Sequence, residues 1–116
     1  MWTVIFSGVV TDWLDQADET TYELFHAAVK VLREERPSLG RPLVDRVNDS
    51  AVHNMKELRP GSVGRSGVRA LFVFDPARHA IVLVAGDKSG EWNTWYKRMI
   101  PQAEKMYAAY LRGEDI

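Results

Sequence analysis

The run VRALFVFDPARHAIVLVAG, from Val68 to Gly86, constrains this chain more than any other stretch. VRALFVFD is dense in β-branched and aromatic residues, and HAIVLVAG is a compact apolar run of the kind that forms a core strand. The short proline-containing turn DPAR joins them, so the two are expected to pair as an antiparallel hairpin. A weakly alternating strand, HNMKELR, precedes this hairpin across PGSVGRSG, whose glycines and proline make a loop.

The rest of the chain supplies what the hairpin packs against. WTVIFS reads as a first strand ended by Gly8, with Trp2, Val4 and Phe6 on one side and Thr3, Ile5 and Ser7 on the other. TDWLDQ adds a helical turn. Tyr22, Phe25, Val29 and Leu32, joined by Leu24, Ala28 and Val31, recur at three and four residues, predicting a helix over about 19–36. Thr20 and Glu23 have the spacing of a capping box at its start, and Pro37 and Gly40 stop it. Residues 40–50 form a polar connection with a short extended piece at 43–47. Met99, Ala103, Met106 and Tyr110 predict a closing helix. Because proline in a helix interior costs roughly 3 kcal/mol, Pro101 places its regular start near Lys97 or later, or kinks an earlier turn. The predicted class is α+β, a twisted and mainly antiparallel sheet packed against an N-terminal helical region and a C-terminal helix.

Composition excludes several functions. The 116 residues suit one domain over 1–116, and their 46% hydrophobic and 27% charged content is that of an ordinary globular protein. Cysteine is absent, which removes disulfides and thiolate metal sites. His26, His53 and His79 lack ligand spacing, so no metal and no cofactor is expected. No apolar run approaches the roughly 20 residues of a membrane span, and no signal peptide is evident. The expectation is a soluble cytoplasmic protein without membrane partners. The net charge of −1 conceals a gradient: residues 1–29 carry five acidic side chains and no Lys or Arg, whereas 56–98 carry eight basic against four acidic. A polyanion suits the second region.

Pairing geometry then gathers chemistry at one sheet edge. Glu57 and Arg59 share a face of MKELR, with Lys56 and Leu58 on the other. Arg69 begins one hairpin strand and Lys88 follows the end of its partner, so antiparallel pairing brings the two together. As strand-end charges they are expected to be replaceable by alanine with the fold intact. Trp92, Trp95 and Tyr96 follow, set among Lys97 and Arg98. A carboxylate to take a 2′-hydroxyl proton, cations to neutralise phosphate, and aromatic rings to stack on unpaired bases are what RNA cleavage without a metal requires. On these cues alone, Glu57 and Arg59 could equally pair as surface ions, and a tryptophan could cover the core.

GRPLVDRV, MKELRPG, GVRALFVFDPARHAIVLVAGDKSG and WYKRMIPQAEKMYAAYL, in that order, resemble the RelE/ParE superfamily of bacterial toxin–antitoxin toxins, in particular its HigB-like, phage Gp49-like branch. The resemblance implies the small RelE-like fold and cleavage of mRNA in the ribosomal A site by an endoribonuclease that stops translation and growth. It also implies a cognate antitoxin, often with a helix-turn-helix domain. Carried over by position, Glu57, Arg69, Lys88 and Tyr96 are the catalytic candidates, with Lys56, Arg59, Arg65, Trp92, Trp95, Lys97 and Arg98 on the RNA. Ser89 and Gly90 stand where family members often have a further basic pair, and a histidine that some members use has no counterpart. The superfamily also holds ParE-like members that poison DNA gyrase. Outside it, the alternative is an interaction module whose basic face meets an acidic helix.

Overall fold

The computed structural model describes residues 2–34, 40–61, 66–91 and 93–116. In chain order the elements are β1 (Thr3–Phe6), α1 (Gly8–Gln16), α2 (Glu19–Glu34), β2 (Val44–Arg46), β3 (Met55–Leu58), β4 (Val68–Phe74), β5 (His79–Asp87) and α3 (Asn93–Leu111). The strands lie in the order β1-β5-β4-β3-β2, with β1 parallel to β5 and the other pairs antiparallel. This is the expected α+β arrangement.

The hairpin sits at the centre, which explains its unbroken apolar sequence: both faces are covered. Ala70, Phe72, Ala80 and Val82 pack with Val10, Leu14, Phe25, Val29 and Leu32 from α1 and α2. Leu71, Val73, Ile81 and Leu83 pack with Trp95, Met99, Ile100 and Ala103 from α3. Leu83 is an extra residue in β5, because Leu71 faces Val84 while Phe72 faces Val82. A bulge leaves backbone groups without a ladder partner. Here the Ser7 hydroxyl donates to the Leu83 carbonyl at 2.7 Å, and the same oxygen accepts from the Val10 amide at 3.2 Å.

That contact corrects the reading of the N-terminal segment. The first strand ends at Phe6, and Gly8 opens a nine-residue helix rather than closing a strand, because Ser7 is held at its N-cap. The start of α2 is also set differently. Asp18, not Thr20, caps it: its carboxylate accepts from the Thr21 amide at 2.7 Å, which leaves Thr20 inside the helix. Tyr22 and Val31, assigned to the apolar stripe, are exposed.

The last helix begins at Asn93, before the expected start near Lys97, and runs through Pro101. Burying Trp95 in the first turn accounts for this, since a fully buried aromatic contributes about as much as an interior proline costs. Pro101 lies on the exposed side of α3.

The far end of α3 is tied to the hairpin turn. Asp75 is buried; its Oδ1 accepts from the Ala77 and His79 amides, each at 2.9 Å. Its Oδ2 accepts from the Tyr110 hydroxyl at 2.7 Å and meets His79 Nδ1 at 3.2 Å. Burial works to raise the Asp75 pKa, but the bonds from Tyr110 and His79 outweigh it and hold the carboxyl below its usual value. The same bond pushes Tyr110 up to about 12. A lowered acid pKa stabilises above the unfolded value near 4 and is lost below it, and a raised phenol pKa stabilises below about 10 and is lost above it. Tyr110→Phe is therefore expected to cost about 1 kcal/mol between those limits, with the difference from wild type vanishing in acid and in strong alkali. Denaturant unfolding at a series of pH values measures this directly.

Candidate active site

Four separated segments meet at the end of the sheet beside the start of α3. Glu57 enters from β3, Arg59 follows that strand, Arg69 opens β4, and Lys88 follows β5. Arg69 lies opposite Gly86, and the Lys88 amide donates to the Gly67 carbonyl at 2.9 Å, so strand pairing brings the two cations together as expected. Tyr96, in the first turn of α3, closes the group. Its hydroxyl donates to Glu57 Oε2 at 2.6 Å, while Arg59 Nε lies 3.7 Å from Glu57 Oε1. Lys88 Nζ stands 5.0 Å from the centre of the Tyr96 ring.

Burial makes this charge cluster unlike a surface one. Glu57 is 7% exposed and Arg69 only 5%. This overturns the expectation that Arg69 is a solvated strand-end charge. Its Nη1 donates to the Ser66 and Val68 carbonyls at 2.9 and 2.7 Å, so the guanidinium pins the chain entering β4. Buried Nε atoms of Arg59 and Arg69 have no hydrogen-bond partner. A buried donor without a hydrogen bond is costly, and Arg59 Nε has the Glu57 carboxylate only at ion-pair distance.

The environment also sets protonation. Burial first, then the hydrogen bond to Glu57, raises the Tyr96 pKa well above that of an ordinary phenol, with Arg69 pulling the other way. Tyr96 thus keeps its proton at neutral pH and uses it in the hydrogen bond to Glu57. Burial, with Arg69 adding to it and Glu57 opposing it, lowers the Lys88 pKa from its usual value. Among the described residues, no three His, Asp or Glu side chains are grouped to hold a metal ion.

Sequence reasoning missed Arg41 and Asp45. Asp45 on β2 is the register partner of Glu57, and like charges directly opposite repel. Arg41 offsets this, donating through Nε and Nη2 to Asp45 Oδ2 at 2.9 and 2.7 Å, within electrostatic reach of Glu57 and Tyr96. The i, i+4 spacing of the two in GRPLVDRV was the available signal, but it falls in a segment with weak strand character.

Other candidates separate from the cluster. Trp95 is 1% exposed and lies over Gly86, where an added Cβ would come within 2.8 Å of the indole nitrogen. It is a core residue, and no base can stack on it. Lys56 points to the opposite face of β3 from Glu57, since side chains alternate. Arg98 is exposed and held by Glu91 through bonds of 3.0 and 3.1 Å. Lys97 is exposed and lines a cleft that also touches Glu57 and Tyr96. Arg65 and Trp92 lie outside the described residues.

Comparison with known proteins identifies the family and the fold. Residues 12–108 match the family described as phage derived protein Gp49-like (DUF891). HigB2 of Mycobacterium tuberculosis, named as a toxin, is 57% identical over 102 residues, which is 88% of this chain and 51% of HigB2. The chain thus spans about half the length of that relative. HigB3 of the same organism, likewise named as a toxin, is 44% identical over 96% of this chain and 95% of its own length. Among solved structures, the isolated Escherichia coli RelE toxin superposes with a TM-score of 0.57 at 14% identity, covering 85% of this chain and 99% of RelE. A doubly substituted RelE in the free state gives 0.55, also at 14% identity, over 87% and 96%. With a family model spanning most of its length and a HigB3 match nearly end to end, the chain belongs to the Gp49-like family, is similar to proteins named as HigB toxins, and has the fold of RelE.

Proposed function

We propose that this protein is the toxin of a toxin–antitoxin pair and cuts mRNA in the ribosomal A site, its activity masked by a cognate antitoxin, one with a helix-turn-helix domain. The observation that carries this reading is the grouping of Arg59, Arg69 and Lys88 around the Glu57–Tyr96 pair at one end of the sheet. They suit a phosphodiester better than a neutral ligand, because Arg binds phosphate through parallel charge-assisted bonds. Glu57 takes the proton of a 2′-hydroxyl whose oxygen attacks the adjacent phosphorus. Arg59, Arg69 and Arg41 neutralise the phosphate oxygens, and Tyr96 donates to one of them or holds Glu57 until substrate arrives. The bond from phosphorus to the 5′-oxygen breaks, and Lys88, its pKa lowered by burial, gives that oxygen a proton. The products are a 2′,3′-cyclic phosphate and a free 5′-hydroxyl, and the proton on Glu57 returns to Lys88 through solvent.

Expression of the chain without an antitoxin should arrest growth, with mapped mRNA ends showing breaks confined to translated regions. Lys88→Ala is expected to slow cleavage roughly 10²–10³-fold while changing unfolding free energy by less than about 1 kcal/mol. Arg41→Ala, at an exposed position, is expected to slow it about tenfold. Full-rate cleavage by Lys88→Ala would displace the site. Arrest with intact mRNA and gyrase-linked DNA breaks would point to the ParE-like activity, and no arrest to an interaction module.

A further inference from the structure

Where β4 begins and β5 ends, two chain segments lie closer together than an ordinary side chain allows. Gly67 leads into β4, the 87–89 turn leaves β5, and the Lys88 amide donates to the Gly67 carbonyl at 2.9 Å. Asp87 Oδ1 accepts from the Ser89 amide at 2.9 Å, which curls the turn back toward Gly67. A Cβ on residue 67 would lie 2.1 Å from Ser89 Oγ, 2.5 Å from Asp87 Oδ1 and 3.0 Å from the Ser89 amide nitrogen. Non-bonded heavy atoms settle at roughly 3.5 Å or more, so the turn rests where only a glycine leaves room. The two sides differ in freedom to move. Arg69 Nη1 bonds the Ser66 and Val68 carbonyls, and the Ser66 hydroxyl accepts from the Val68 amide at 3.1 Å, so residues 66–69 are held. Asp87, Ser89, Gly90 and Glu91 are exposed. Crowding at residue 67 is therefore relieved by shifting the turn, and Lys88 travels with it.

Resting on the ribonuclease reading above, we infer that Gly67 is a positioning residue for Lys88: its bare Cα seats the 87–89 turn so that the ammonium, 5.0 Å from the centre of the Tyr96 ring, reaches the leaving 5′-oxygen. A misplacement of about 1 Å in a reacting group costs roughly 10²-fold in rate, and the overlap at residue 67 is of that size. Lys88 also reports its own place. Burial first, then Arg69, lowers its pKa, with Arg59 and Arg41 adding to this and Glu57 opposing it. Tyr96 faces it from α3, and Asp87 and Glu91 flank it along the chain. A turn lifted toward water sheds the two largest of these influences, so the ammonium should then titrate nearer to an ordinary lysine.

Two measurements on the full chain test this. Message cleavage in a translation reaction, with ends mapped, reads the chemistry. Competitive acylation at a series of pH values, with peptide mapping, reads the titration of each lysine without using the reaction. Gly67→Ala is expected to cut roughly tenfold to 10²-fold slower than wild type and to move the Lys88 midpoint upward, with the other lysines unmoved. A merely structural loss would slow cleavage and leave that midpoint in place, which overturns the inference, as does a variant with wild-type rate and midpoint. Ser89→Gly removes the atom at 2.1 Å, so the penalty of Ala at 67, taken relative to Ser89→Gly itself, should shrink several-fold. That pair also decides the matter where Gly67→Ala alone is too unstable to assay, and an undiminished penalty in it overturns the inference. A wild type that cuts no message removes the ribonuclease reading and this inference with it, whereas a wild type that cuts, with a Lys88 midpoint indifferent to Gly67→Ala, overturns this inference alone.

Discussion

Arg69→Ala is expected to lose cleavage by about 10³-fold and about 2–3 kcal/mol of folding stability together. The double effect follows from a guanidinium that is only 5% exposed and bonds two backbone carbonyls, of Ser66 and Val68. Its truncation leaves those carbonyls without their donor under a lid of protein, and it removes the cation that sits with Lys88 and Tyr96. Arg69→Lys separates the parts. A single ammonium keeps the charge and can reach one carbonyl, so most stability should return, while the forked grip on phosphate does not. Denaturant unfolding and cleavage rates measured well below the unfolding midpoint give both numbers. An alanine variant as stable as wild type would show the guanidinium to be a solvated charge after all.

Trp95→Ala is expected to be the most destabilising single change, about 3–5 kcal/mol, as for other fully buried large aromatics. The indole fills the space between Gly86 and the start of α3, packing edge-on to Tyr96 with ring centres 5.1 Å apart. Its removal opens a cavity under the residue that holds Glu57, so activity should fall with stability. Trp95→Phe refills most of that volume. It should recover the fold, and with it the RNA affinity proposed above, because the indole lies in the core. Loss of RNA affinity in a stable Trp95→Phe protein would return Trp95 to the binding surface.

These two residues show where sequence reasoning stops. Trp95 and Tyr96 are neighbours in an aromatic, basic stretch, and composition treats them alike. A helix turns about 100° per residue, so one ring enters the core and the other faces Glu57. Which goes where depends on the register of α3 over β5, and that in turn on Gly86 leaving room for an indole. Of the two outcomes Pro101 allowed, the late start of α3 was not adopted for the same reason: the local cost of Pro101 was legible, and the tertiary gain of burying Trp95 was not. Arg41 and Asp45 stayed hidden because β2 is three residues long and acquires meaning only opposite Glu57.

What the sequence alone determined was local or nearly so. Alternation and apolar runs specified the strands, three- and four-residue spacing specified the helices, and a four-residue turn specified the hairpin that carries Arg69 to Lys88. What only the tertiary structure decided was burial and partnership: Glu57 bonded to Tyr96 across 39 residues of chain, Arg69 turned inward, Trp95 sunk beneath the site. Periodicity is a property of neighbours along the chain, whereas exclusion of water, which gives these charges their chemistry, depends on every segment packed above and beside them.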